Sequence, residues 1–269
     1  MNMYLHMKDL YANSVFAVLM LREFRRIGNL AWQALLDGAS VITTQAIFFE
    51  SLFPLLGVPV RYTASLYLGA NMSLIFWVGY WYCLNLGADL KEPRLIDYQL
   101  MLPVSLKNLL ATYVISFVLQ IGAILVPLCF GGFFLLSNRP PLTFFSLLQA
   151  LGILFLGVTF IGTFFVTLAF LCNMEWLKAN GTIRLLVPIA LFNANFVIWH
   201  DIYAFSKPIG YVLACNPITY ISEGMRNSLL NLNPTQQIPT SFCALVLLGS
   251  IILMSQLLVY GARRRLDPV

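Results

Sequence analysis

Residues 142–172, LTFFSLLQALGILFLGVTFIGTFFVTLAFLC, decide the class of fold, because this unbroken run contains no charged side chain. A helix needs about 20 mostly apolar residues to cross about 30 Å of hydrocarbon, so the run is long enough with residues to spare. It lacks the strict alternation of apolar and polar positions that marks a strand of a transmembrane barrel. With no water to bond to, backbone at that depth must satisfy its own amides, and a helix does so within one segment.

Working outward, residues 62–86, 109–136 and 241–260 are equally free of charge. Two further apolar stretches carry some: 31–53 contains Asp37 and Glu50, and 183–205 contains Arg184 near its start with His200 and Asp201 near its end. Counting both, the expectation is an all-α polytopic membrane protein, one transmembrane domain over 1–269 with six transmembrane helices. Composition agrees, with 59% hydrophobic and 10% charged residues, where a soluble domain has roughly 45–50% and about 25%. Pro127 with Gly131 and Gly132 is expected to bend the third span, either as a packing kink or as a hinge.

Orientation follows from the sixteen Lys and Arg residues. With the N-terminus inside, six spans put Lys8, Arg22, Arg25, Arg26, Lys91, Arg94, Lys107, Lys178, Arg184, Arg263, Arg264 and Arg265 on the cytoplasmic side. Only Arg61, Arg139, Lys207 and Arg226 fall outside, as the positive-inside rule requires. Both termini are therefore expected in the cytoplasm. The early apolar run 15–21 is short and leads straight into Arg22-Glu-Phe-Arg-Arg26, so a cleavable signal peptide is not expected.

Three segments are neither span nor simple loop. Residues 8–29 mix Leu10, Leu21, Phe24 and Ile27 with Arg22, Arg25 and Arg26, the pattern of a helix lying in the membrane interface. Residues 87–108 are too polar to cross, yet contain Leu95, Ile96, Tyr98, Leu100 and Leu102 before Pro103, which reads as a short amphipathic helix needing a cover. In 207–239, Asn216 can cap and Pro217 can open a helix on which Glu223 and Arg226 are i,i+3 partners. That helix is apolar and surrounded by prolines, so it is expected to dip into the outer leaflet without crossing.

The most specific pieces are residues 21–26 (LREFRR) leading into 29–32 (NLAW), 96–105 (IDYQLMLPVS), and 216–226 (NPITYISEGMR). In this order around six spans, they make the whole chain resemble the permease subunits of type-2 ATP-binding-cassette exporters. The resemblance implies that Arg22, Glu23, Arg25 and Arg26, with Arg94, Leu95, Ile96, Tyr98, Leu100, Leu102 and Pro103, dock onto a separate ATPase subunit. It implies an outer gate at Asn216, Pro217, Tyr220, Glu223 and Arg226, and a second permease copy or a paralogue as further partner. ATP and Mg would sit on the partner ATPase, and the location would be a bacterial cytoplasmic membrane. Relatives of this kind handle lipids, drugs, lipooligosaccharides and polysaccharides. The chain departs from the pattern in its fifth stretch, which ends in Asn193, Asn195, Trp199, His200 and Asp201.

No chemistry of its own is signalled. There is no G-x-x-x-x-G-K-[ST] phosphate loop, no H-E-x-x-H and no G-x-S-x-G. His6 and His200 are far apart, and the five cysteines are scattered without C-x-x-C spacing, so no catalytic residue, metal site or bound cofactor is expected in this chain. The net charge of +5 comes from short basic clusters between apolar runs, which argues against nucleic acid. Asp37 and Glu50 either mark span boundaries or face a substrate path. Phe76, Trp77 and Tyr80 are either an interfacial aromatic belt or a stacking surface for a sugar or lipid. A secondary transporter or channel without an ATPase is the alternative class, and a membrane-embedded transferase ranks last.

Overall fold

A computed structural model describes residues 16–22, 25, 36, 39–45, 47–90, 101, 105–136, 142–230 and 238–266. Among them the protein is all helix and turn, with no strand. The main elements are α1 (Val60–Asp89), α2 (Leu106–Val126) and α3 (Phe144–Leu171). A continuous run of Met174–Trp176, Leu177–Leu186 and Val187–Leu191 forms α4. Then follow α5 (Trp199–Phe205), α6 (Lys207–Ala214), α7 (Pro217–Leu230) and α8 (Thr240–Leu266). Ahead of α1, a π-helical turn Phe48–Leu52 and the short helix Phe53–Leu55 end in Gly57, whose φ of 83° is open to glycine without strain.

Three helical stretches are long and apolar enough to cross a membrane: Leu106–Phe134, Phe144–Leu171 and Thr240–Arg265. They are not equivalent. In α3, 72% of the apolar window is buried inside the protein, against 17% in α8. α3 is therefore the central post, contacted by α1, α2, α7 and α8, whereas α8 turns most of its apolar surface outward. Lipid tails are as apolar as leucine, so what holds such helices together is close packing and polar contact rather than escape from water.

Local sequence sets the helix ends. Ser105 caps α2 by accepting from Asn108 N at 3.2 Å, and Thr143 and Ser146 form a reciprocal capping box at the start of α3. Pro127 carries no amide hydrogen, and from it the α2 ladder widens into the π-helical turn Pro127–Gly131 before one last turn, Gly132–Leu135. The hydroxyl of Tyr67 on α1 donates to the Leu128 carbonyl within that turn. Gly132 makes this approach possible, since a Cβ there would collide with the Tyr67 ring. The expected bend at Pro127 is thus a packed joint between α1 and α2.

The stretch 183–205 is not one helix. It begins inside the ten-residue π-helical section Leu177–Leu186, ends its helical course at Leu191, and bends through 192–198 before α5. Within that bend Asn193 Nδ2 donates to the Ile189 and Ala190 carbonyls and its Oδ1 accepts from Asn195 N, local bonds that stand in for the ladder.

Candidate functional site

α7 is the most deeply buried polar helix of the structure. Eleven of its residues, among them Glu223 and Arg226, are buried. It packs against α1, α3 and α8. Its start follows the expected chemistry: Asn216 Oδ1 accepts from Ile218 N at 3.1 Å, and Pro217 occupies the first turn.

One turn further on, the expected i,i+3 pair forms, with Arg226 Nη1 2.8 Å from Glu223 Oε1 and both side chains essentially inaccessible. The guanidinium does more than neutralise the carboxylate. Its two terminal nitrogens donate to the carbonyls of Ala194 and Asn195, and reach those of Val197 at 3.4 Å and Ser65 at 3.5 Å. Glu223 Oε1 in turn accepts from Trp199 N at 3.1 Å. The charged pair therefore supplies the partners that the helix break at 192–198 would otherwise lack. Unsatisfied backbone groups cost several kcal/mol each in hydrocarbon.

The clamp continues along α7. Asn216 Nδ2 donates to Ile189 O at 2.9 Å and Phe192 O at 2.7 Å, and Thr219 Oγ1 accepts from Ala194 N at 3.3 Å. Ser222 donates to Asn195 Oδ1, and Asn195 Nδ2 donates to Ser73 Oγ on α1 at 2.9 Å. Ser65, Gly69 and Ser73 lie four residues apart and so share one face of α1. Gly69 is obligatory there, because a Cβ would strike the Asn195 carbonyl. Arg226 Nε is left without a hydrogen-bond partner among the described residues.

Beside the clamp is an apolar cavity of about 380 Å³, bounded by Pro188, Phe192, Asn216 and Pro217, by Met254 of α8, and by three phenylalanines. Phe76 of α1 and Phe160 of α3 both lie against Phe164, at ring separations of 6.3 and 6.1 Å and with nearly parallel planes. The size is within the range of small-ligand sites, roughly 300–1,000 Å³.

The expected substrate-path residues separate in space. Phe76 lines the cavity, while Tyr80, one turn on, is buried with its hydroxyl donating to Leu177 O at 2.8 Å. Trp77 lies on the other side of α1 and is exposed. Glu50 is half-buried in the turn Phe48–Leu52. Tyr220 packs its ring 5.9 Å from Phe242 and donates to Ala214 O at 2.8 Å. Arg22 and Arg25 are exposed helical residues. Asp37, Glu23, Arg26 and the loop residues Arg94, Leu95, Ile96, Tyr98, Leu100, Leu102 and Pro103 lie outside the described residues.

Asn195, Ser222, Thr219, Ser65, Gly69 and Ser73 were not expected in the site. The pair Asn193 and Asn195 inside an apolar run was the available signal. A scan against protein-family models matches none, and a search of curated proteins finds no match.

Proposed function

We propose that the chain is the membrane-spanning permease subunit of an ATP-driven exporter, with six spans, both termini cytoplasmic, and its ATPase on another chain. The observation that carries this reading is α7: a 14-residue helix too short to span, buried among long apolar helices and following an interrupted fifth stretch. That is the arrangement expected of a short membrane-depth segment before the last span. The neighbouring cavity supports an amphipathic cargo, since its apolar walls suit the hydrophobic part of a lipid or drug. A second permease copy or a paralogue completes the path, and the docking surface is formed by 8–29 and 87–108.

The test is reconstitution. The pure chain should hydrolyse no ATP, and hydrolysis coupled to transport should appear with its ATPase subunit. Tyr98→Ala with Leu100→Ala should then weaken assembly or coupling at least tenfold, because one buried aliphatic anchor is worth roughly 1.5–3 kcal/mol. Wild-type assembly and coupled activity in that variant would refute the docking assignment.

One observation favours a second reading, a secondary transporter. Discontinuous helices with unwound backbone at membrane depth are a hallmark of that class, and 187–205 is discontinuous. Proteoliposomes containing only this chain decide between them: uptake driven by an ion gradient without ATP would favour the second reading.

A further inference from the structure

Far from the clamp, the C-terminal end of α8 meets the C-terminal end of α3 in a polar cavity of about 490 Å³. Arg264 and Arg265 line it together with Phe170, Leu171 and Met174. Gly261 lets the two helices close up, since a Cβ there would sit 2.7 Å from Leu171 Cδ2. Arg265 is fixed by its own bonds, Nη1 donating to Ala169 O at 2.6 Å and to Cys172 O at 3.4 Å. Arg263 and Arg264 are exposed. Two helix C-termini together contribute only about one negative charge, against the exposed guanidinium groups of Arg263 and Arg264. Glu175 and Lys178 follow on the next element, and Asp267 lies outside the described residues.

A second, independent feature points to what fills this cavity. Arg264, Tyr260, Leu257 and Leu253 recur at helical spacing down one face of α8, and all four are exposed. A basic head, an interfacial tyrosine and two leucines, a stripe about 16 Å long from Arg264 to Leu253, match an acylated phosphate from head to tail. Guanidinium recognises phosphate oxygens in a bidentate manner, and basic pockets between membrane helices bind anionic headgroups.

We propose that the cavity between the ends of α3 and α8 is a binding site for the phosphate headgroup of an anionic phospholipid, its acyl chain lying along Leu257 and Leu253. The site does not depend on the transport reading. Native mass spectrometry of the full chain, with phosphatidylglycerol and phosphatidylcholine of matched acyl chains, measures it directly. The wild type should retain phosphatidylglycerol preferentially. Arg264→Gln should lower that retention about fivefold, the worth of one basic residue near an anionic surface, and leave phosphatidylcholine unchanged. Arg263→Gln removes the same charge off the stripe and should stay within twofold of wild type. Equal retention of both lipids, or an equal loss in the two variants, would overturn the site in favour of diffuse surface charge. Displacement of the lipid by equimolar glycerol phosphate or inorganic phosphate would overturn the lipid assignment in favour of a free phosphate site. Circular dichroism melting of each variant confirms that loss of binding is not loss of fold. If Arg264→Gln fails to fold, Arg264→Lys, which keeps the charge but loses the bidentate fork, should retain phosphatidylglycerol less well than wild type, and wild-type retention there refutes the site.

Discussion

Replacing Arg226 with methionine tests what the buried charge does. The substitution keeps an unbranched side chain in place but removes the guanidinium donors to Glu223, Ala194 and Asn195, leaving the carboxylate only its bond from Trp199 N. Removing one partner of a buried ion pair costs about 3–5 kcal/mol, because the survivor remains buried and uncompensated. Each carbonyl left without a donor adds about 1–3 kcal/mol, though the contributions of one network do not simply add. Native domains are stable by only about 5–15 kcal/mol, so most of the margin disappears. At about 2 °C per kcal/mol for a chain of this size, thermal melting in detergent should fall by about 6–10 °C or more. Glu223→Gln should cost less, since the amide oxygen still accepts from Trp199 N and the guanidinium keeps its carbonyls. The double variant should be less damaged than the sum of the two singles, because the stranded charge is gone. A melting temperature for Arg226→Met within 2 °C of wild type would refute the idea that the guanidinium holds the break together.

Gly69→Ala should be among the most damaging glycine substitutions, at or above the roughly 1–3 kcal/mol of ordinary overpacking, whereas Gly122→Ala, with open space around it, should be neutral or stabilising by about 0.5–1 kcal/mol; paired melting curves measure both. Tyr67→Phe removes the donor to the Leu128 carbonyl and should cost about 1–3 kcal/mol, and an unchanged melting point would mean that the widened turn needs no partner. For the six-span topology, single cysteines at 139 and 207 should react with impermeant reagents from the outside only, and labelling confined to the cytoplasmic side would sink it.

The parts of this structure that could be read in advance were those written in adjacent residues. Asn216 and Pro217 announce a helix start, Glu223 and Arg226 sit at a spacing that pairs them, and Pro127 marks a disturbance in the ladder. Apolarity alone could not reveal the interruption of 183–205, because a broken segment buried in protein has much the same composition as a whole one. The two asparagines hinted at it, but their partners lie on α1 and α7, far along the chain. The small-residue face Ser65, Gly69, Ser73 looked like any helix surface. Arg226 was counted as an outer loop charge, and its complete burial takes it out of any count of loop charges. Phe76, Trp77 and Tyr80 read as one cluster, yet helical geometry sends Phe76 and Tyr80 inward and Trp77 out.

The clamp also dictates an order of events during synthesis. Residues 187–198 leave the ribosome before α7 does, carrying carbonyls at Ala194 and Asn195 whose donors are still unmade. Until Arg226 emerges, about thirty residues later, those carbonyls have no guanidinium to accept from and the bent form lacks its brace. The segment must keep those groups bonded to water, or pass through a straighter helical form that α7 afterwards unwinds. The kinked backbone is therefore a late product of the chain's own C-terminal third, and a nascent chain arrested before residue 226 should hold this region in a different conformation.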